Sequence, residues 1–194
     1  MAMDQFLKVE GIQGESKDDK HKNTIDVLAW SWGMAQAGSF GGAGGGGSGK
    51  VAVQDLSVTK FIDKSSPDLM LHCCSGKHIP TCVLTVRKAG GDSPLEYLTI
   101  KMSDVIITSV STGGSGGEDK LTENVTLNFG KVEVAYKEQT ERGGVGATPK
   151  MGWDVKANKK VYGRRPSVSR GSLGGPGQPL FLRHLSGPAG RFAR

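Results

Sequence analysis

Apolar and polar positions alternate with a period of two through a series of short segments, the pattern of half-buried strands. It is clearest in Asn124-Val125-Thr126-Leu127-Asn128-Phe129, and again in Lys131-Val132-Glu133-Val134-Ala135-Tyr136. Gly130 between the two is a candidate bulge. The same alternation runs through Ile25-Asp26-Val27 into Trp30-Ser31-Trp32, and through residues 83–87, 95–100 and 105–110. Many short strands with little helix between them predict a mainly β fold, a compact barrel-like or sandwich domain. In Trp30-Ser31-Trp32 the pleat sets two indoles on one face and Ser31 on the other.

One helix interrupts the strands, over about residues 66–75. Ser65-Ser66 supply an N-cap, Pro67 opens the helix, and Asp68 suits its positive end. Leu69-Met70-Leu71 give it an apolar stretch, and Gly76 is placed to end it. So short a helix needs packing against the sheet to persist.

Composition sharpens this picture. Of 194 residues, 36% are hydrophobic and 23% charged, enough apolar material for a buried core. No apolar run approaches the roughly 18 residues of a membrane helix. The opening residues, Met1 to Phe6, lack a basic n-region and an apolar h-region, so no Sec-type signal peptide is expected. Cys73, Cys74 and Cys82 are too clustered for a disulfide framework, which points to a reducing compartment. The net charge of +6 is local: residues 163–194 hold six Arg and no Asp or Glu, leaving 25 − 6 = 19 basic against 19 acidic residues in 1–162. The body therefore offers no charge argument for nucleic acid or an anionic membrane. Any such binding would come from the tail arginines and would vanish with salt. The chain divides into a β domain over 1–162 and a Gly/Pro/Ser/Arg-rich tail over 163–194, expected to be disordered. Within the body, Gly38–Gly49 and Ser111–Gly117 read as mobile Gly-rich loops.

Motif matches dissolve when their chemistry is tested. Gly44-x4-Gly49-Lys50 begins like a phosphate loop, but Val51 stands where a Mg²⁺-ligating hydroxyl is required, and a strand-like run follows in place of a helix. Gly42-x-Gly44-x-x-Gly47 is an accident of the same glycine run. Gly113-Gly114-Ser115-Gly116-Gly117 fits a nucleophile elbow, yet the only later histidine is His184, in the tail. His72, Cys73, Cys74, His78 and Cys82 are soft ligands within eleven residues. Adjacent cysteines on a helix diverge by about 100°, so core or boundary positions suit them better. Asn124-Val125-Thr126 is a glycosylation sequon that reads here as strand. No catalytic, cofactor-binding or metal-ligating set emerges, and the chain reads as a non-enzyme.

Several blocks, in order, resemble the haemolysin-coregulated protein (Hcp) family, the inner-tube subunits of the bacterial type VI secretion system. They are residues 14–18, 25–33, 53–60, 63–67, 74–78 and 110–129, with Gly152-Trp153 later. The resemblance runs from about residue 4 to about 160 and stops at the tail. It implies a barrel-like domain with one helix packed on it, like the tube proteins of contractile phage tails. It also implies six copies in a ring, rings stacked into a hollow tube, a spike and a contracting sheath as partners, and small effector proteins carried in the lumen. Such a protein starts in the cytoplasm and leaves the cell when the machine fires, without inserting in a membrane. Residues 39–60 match the family's extended loop, which makes Phe40, Gly44, Gly49, Lys50 and Asp55 candidate ring-stacking residues. Ordering the seven glycines there is entropically costly, so each stacking contact is expected to be weak. Pleat alternation makes Ser31 the lumen candidate. The alternative is a monomeric β-sandwich binding module that uses its Gly-rich loops.

Overall fold

A computed structural model describes residues 3–38, 48–88, 94–114, 116–117, 119–139 and 146–161. The elements in chain order are β1 (Met3–Val9), β2 (Ile25–Ser31), β3 (Met34–Gly38), β4 (Ser48–Val53), β5 (Leu56–Phe61), α1 (Ser66–Ser75), β6 (Ile79–Lys88), β7 (Glu96–Gly113), β8 (Thr122–Tyr136), β9 (Lys150–Asp154) and β10 (Lys159–Lys160). Strands β8, β5, β2, β1, β6 and β7 pair in that order, and β7 returns to β8, closing a six-stranded barrel. Closure removes the exposed edges that an open sheet would carry. β9 and β10 extend the sheet beyond β8, and β3–β4 form a separate hairpin. The mainly β, barrel-like expectation holds.

The core follows the period-two pattern. Leu7, Ile25, Leu56, Val58, Leu84, Ile100, Val125 and Leu127 are buried inside the barrel. α1 spans the expected residues and buries Leu69 in that core. It ends where Gly76 takes φ +63°, a left-handed turn that favours glycine. Its start departs from expectation. The Ser65 side chain does not cap the helix; its Oγ donates to Asp63 Oδ1 at 2.5 Å instead.

Three further details depart from the pattern reading. β8 runs unbroken through Gly130, and the register with β7 does not shift there. The small residue is in close contact instead: a Cβ on Gly130 would sit 3.1 Å from Asp104 Oδ2, and the Asp104 and Lys156 side chains would have to shift to admit it. The bulge lies on β7 between Ile107 and Ser109, and Thr108 is the extra residue. Ser111–Gly113, expected in a loop, form the last turn-ward residues of β7. Finally, the segments expected at 95–100 and 105–110 are joined in one strand of 18 residues, Glu96–Gly113, which Leu95 precedes.

Two charged networks lock the barrel. Lys60 and Glu123 are cross-strand partners on β5 and β8, and both side chains point inward, fully buried. Lys60 Nζ donates to Glu123 Oε1 at 2.6 Å, Phe61 O at 2.8 Å and Asp63 Oδ1 at 2.9 Å, and Ser66 Oγ at 3.2 Å shares one of its three protons. Ser66 Oγ in turn donates to Glu123 Oε1 at 2.7 Å. One ammonium thus joins two strands, a turn and the first residue of α1. On the outer face, Arg87 reaches Asp4 Oδ2 at 2.8 Å and Asp18 Oδ2 at 2.5 Å, and lies 4.9 Å from the centre of the Phe6 ring. His21 stacks on Phe6 at 4.3 Å and pairs with Glu96 at 2.9 Å. This network holds the β1–β2 connection against the barrel wall. Hydrogen bonding from Arg87 keeps the Asp18 carboxyl below its ordinary value, and the same contact raises the Arg87 guanidinium.

Removing one partner of a buried pair strands the other charge. Lys60→Met is expected to cost about 3–5 kcal/mol in denaturant unfolding. Lys60→Met with Glu123→Leu should recover more than half of that, since no lone charge remains; equal losses in both proteins would contradict this. Asp18 has a folded value below its unfolded one, so its contribution is complete above about pH 4 and fades as acid carries the pH down through the folded value. Asp18→Asn should therefore flatten the acid limb of a stability–pH curve and leave its neutral-to-basic part unchanged in shape.

Candidate functional site

The outward face of β2, β5, β8 and β7 carries two complete lateral rows. One runs Ser31, Ser57, Thr126, Ser109, and the next runs Ala29, Thr59, Asn124, Ser111. All eight are exposed or half-buried and none is ionisable. In a chain with 23% charged residues, such a patch is a departure. Another part of the outer wall shows the contrast, where Lys8, Val83, Lys101 and Glu133 form a charged row across β1, β6, β7 and β8.

The rows are small, hydroxylated and internally bonded. Thr59 Oγ1 donates to Asn124 Oδ1 at 2.7 Å. At the bulge, Thr108 Oγ1 donates to Asp55 Oδ2 at 2.6 Å and lies 2.9 Å from Thr126 Oγ1. Asn128 Nδ2 donates to Asp55 Oδ1 at 2.7 Å. Asp55, the one carboxylate beside the rows, therefore spends both oxygens on neutral donors. These bonds also fix the β4–β5 junction on β7 and β8, so the base of the β3–β4 hairpin is anchored.

Ser31 ends β2 and is exposed at the end of the first row, while Trp30 and Trp32 pack half-buried against the core. Trp32 Nε1 donates to Gln54 O at 3.0 Å, and its ring lies 6.1 Å from that of Phe129. The expected separation of Ser31 from the two indoles is present. Of the extended-loop candidates, Gly49 and Lys50 belong to β4, Lys50 is exposed, and Asp55 sits beside the neutral rows. Phe40 and Gly44 fall outside the described residues, as do Ser115, His184 and the tail. The fused phosphate-loop glycines thus lead into a strand at Gly49-Lys50, not a helix.

Cys73 and Cys74 lie on α1, half-buried and exposed, and Cys82 is buried on β6. Burial, with the nearby Glu10 charge, pushes the Cys82 thiol up to about 12. Among the described residues no group of three or more His, Cys, Asp or Glu could hold a metal ion. Exposed His78 Nδ1 lies 2.7 Å from Asp104 Oδ1, and Lys156 also binds that carboxylate. No described helix is long and apolar enough to cross a membrane.

Strand patterning could have disclosed the neutral rows. Ser57-x-Thr59 and Asn124-x-Thr126-x-Asn128 each place neutral polar groups at the solvent-facing positions. What the sequence withheld was the lateral alignment that joins them.

Residues 6–136 match the model of a family described as type VI secretion system effector, Hcp. The curated Protein hcp1 of Pseudomonas aeruginosa is 58% identical over 159 residues, covering 81% of this chain and 98% of that protein. The crystal structure of Hcp1 from Salmonella typhimurium is 46% identical with a TM-score of 0.68, covering 83% of this chain and 100% of that one. A solved type six secretion system protein is 31% identical with a TM-score of 0.77, covering 82% and 99%.

Proposed function

The chain belongs to the Hcp family of type VI secretion proteins, and from that membership we propose that it is a structural subunit of the secretion tube. Six copies close into a ring, rings stack into a hollow tube, and the tube carries effector proteins before and during export. Spike and sheath components of the same machine are its other partners. The protein waits in the cytoplasm and leaves the cell when the machine fires. Its task is performed by a hole rather than by a reactive group.

The observation that carries this reading is the neutral, hydroxylated face. A channel wall must hold its cargo briefly and then release it. Rows of Ser, Thr and Asn offer individual hydrogen bonds worth about 0.5–1.5 kcal/mol each, without the stronger pull of desolvated charges. We assign this face, Ser31 included, to the lumen. The segment around Phe40, Gly44, Gly49, Lys50 and Asp55 is assigned to contacts between stacked rings, with Asp55 serving as the anchor at its base. Six weak contacts acting together between two rings supply the avidity that one lacks.

Electron microscopy and sedimentation of the purified protein test the assembly. Annular particles about six-fold heavier than one chain are expected; sedimentation only as single chains would favour the monomeric binding module. Ser31→Gln should leave the rings intact and reduce the effector protein recovered with them, whereas loss of the ring would place Ser31 in an interface. Deletion of Gly41–Gly49 should shorten tubes and spare rings; loss of rings would remove that segment from the stacking role.

A further inference from the structure

Asp104 interrupts the barrel wall in the middle of β7. It takes φ +56°, one of three non-glycine residues with positive φ among the described residues. The ladder to β6 passes from Thr81–Ser103 to Ile79–Val105, and the ladder to β8 from Ser103–Lys131 to Val105–Phe129. Asp104 is skipped on both sides, opposite Pro80 and Gly130. Both neighbours suit the interruption. Pro80 has no N–H to leave unpaired, and a Cβ on Gly130 would sit 3.1 Å from Asp104 Oδ2 and 3.3 Å from Lys156 Cε. Aspartate tolerates the left-handed region better than most residues, but the conformation is still costly and persists only where its surroundings hold it.

Those surroundings are polar and come from separate segments. Asp104 Oδ1 lies 2.7 Å from His78 Nδ1, just ahead of β6, and Oδ2 accepts from Lys156 Nζ, in the turn between β9 and β10. Lys156, and after it His78, hold the Asp104 carboxyl below its ordinary value, so it is anionic at neutral pH. The other charges in the same hollow, Lys131 and Asp154, engage each other at 3.5 Å, and Asp154 Oδ1 also accepts from the Ala157 N–H at 2.8 Å.

The segment that carries Lys156 is thinly attached. Val155 is half-buried, and its N–H donates to Gly130 O at 2.9 Å. From Lys156 to Val161 every residue is exposed, and β10 pairs with β9 alone. The same turn has a second role, since Asn158, at φ +50°, lines a groove of about 380 Å³ together with Met34, Val51, Met151 and Trp153. One short turn thus reaches the Asp104 carboxylate with Lys156 and walls the groove with Asn158.

We propose that Asp104 is a latch that holds a strap, residues 155–161, closed on the barrel, and that the closed strap keeps Asn158 in the wall of the groove. An ion pair this exposed is weak and is screened by salt. The strap therefore opens far more often than the barrel does, and ionic strength sets how often. The latch works within one chain and needs no second copy.

Hydrogen exchange read by mass spectrometry on the full-length protein tests it. Lys156→Met should speed exchange across 155–161 by about two- to five-fold, the range of an exposed ion pair. Met34–Gly38, which shares the groove with Asn158, should change in the same direction. Lys156 is 70% exposed, so its replacement does not threaten the fold. Asp104→Asn keeps a residue that tolerates the left-handed backbone and removes the charge, and it should match Lys156→Met. The double variant should exchange no faster than either single one. Salt at about 1 M should speed the parent's strap by a similar factor and leave Lys156→Met unchanged. Lys160→Met, which removes a strap cation from β10, should match the parent. Unchanged strap exchange in Lys156→Met and Asp104→Asn would overturn the latch. So would an equal acceleration over β5 and β6, since Asp104 would then serve general stability alone. Faster exchange in the strap with none at Met34–Gly38 would overturn the link to the groove. Altered sedimentation with an unaltered strap would place Asp104 and Lys156 in a contact between copies, and the latch would fail while the tube-subunit reading stood.

Discussion

The Lys60–Glu123 pair is the constraint around which the barrel is arranged. A cross-strand ion pair buried on the inner face is expensive to desolvate, and it is tolerated only where further hydrogen bonds complete it. Here Asp63, Ser66 and the Phe61 carbonyl complete the lysine. The requirement sets the path of the chain after β5, because the turn and the first residue of α1 must return to the ammonium. The helix is thereby placed so that Leu69 packs into the core. This explains why Ser65 and Ser66 forgo ordinary capping: Ser65 orders the Asp63 carboxylate and Ser66 joins Lys60 to Glu123. The pair also fixes register. A one-residue slip between β5 and β8 would turn one charge outward and leave the other alone in the core.

Once register is fixed there, the neighbouring outward residues have no freedom either. Thr59 must face Asn124 because Lys60 faces Glu123, and Ser57 must face Thr126. The neutral rows are thus the outer side of the same ladder whose inner side carries the buried charges. Charge stands inward at two positions where an ordinary strand would bury apolar side chains. The wall left outside is hydroxylated and almost free of ionisable groups, while the charged row of Lys8, Lys101 and Glu133 occupies another part of the barrel.

The strand pattern and the helix were legible because each rests on local signals: alternation in residues 124–136, and Pro67 and Gly76 framing Leu69. Family resemblance was legible for a different reason, since its blocks recur in order along the chain. The inward Lys60 and Glu123 were not found. Parity with Leu56 and Val58, and with Val125 and Leu127, places them in the core, but the general preference of charge for water argues the other way. Only pairing, a non-local fact, resolves that conflict. The Gly130 assignment failed similarly. A glycine between two alternating runs suggests a bulge, whereas its small size here accommodates Asp104 from the adjacent strand. Thr108, a residue with good strand propensity, gave no local sign that it would be the inserted one.

β8 unites these observations, since its 15 residues serve different neighbours along their length. Its first half pairs with β5 and β7, and holds both Glu123 inside and Asn124 and Thr126 outside. Its second half loses β5 and gains β9, so Val132 faces Trp153 of β9 where the first half faces β5. A change of partner in mid-strand lets one continuous ladder serve a closed barrel and an open extension. Rigidity follows from that continuity: strain at one end of the strand cannot be relieved by a register shift at the other without exposing Glu123. Surfaces at the two ends are therefore held at a fixed separation.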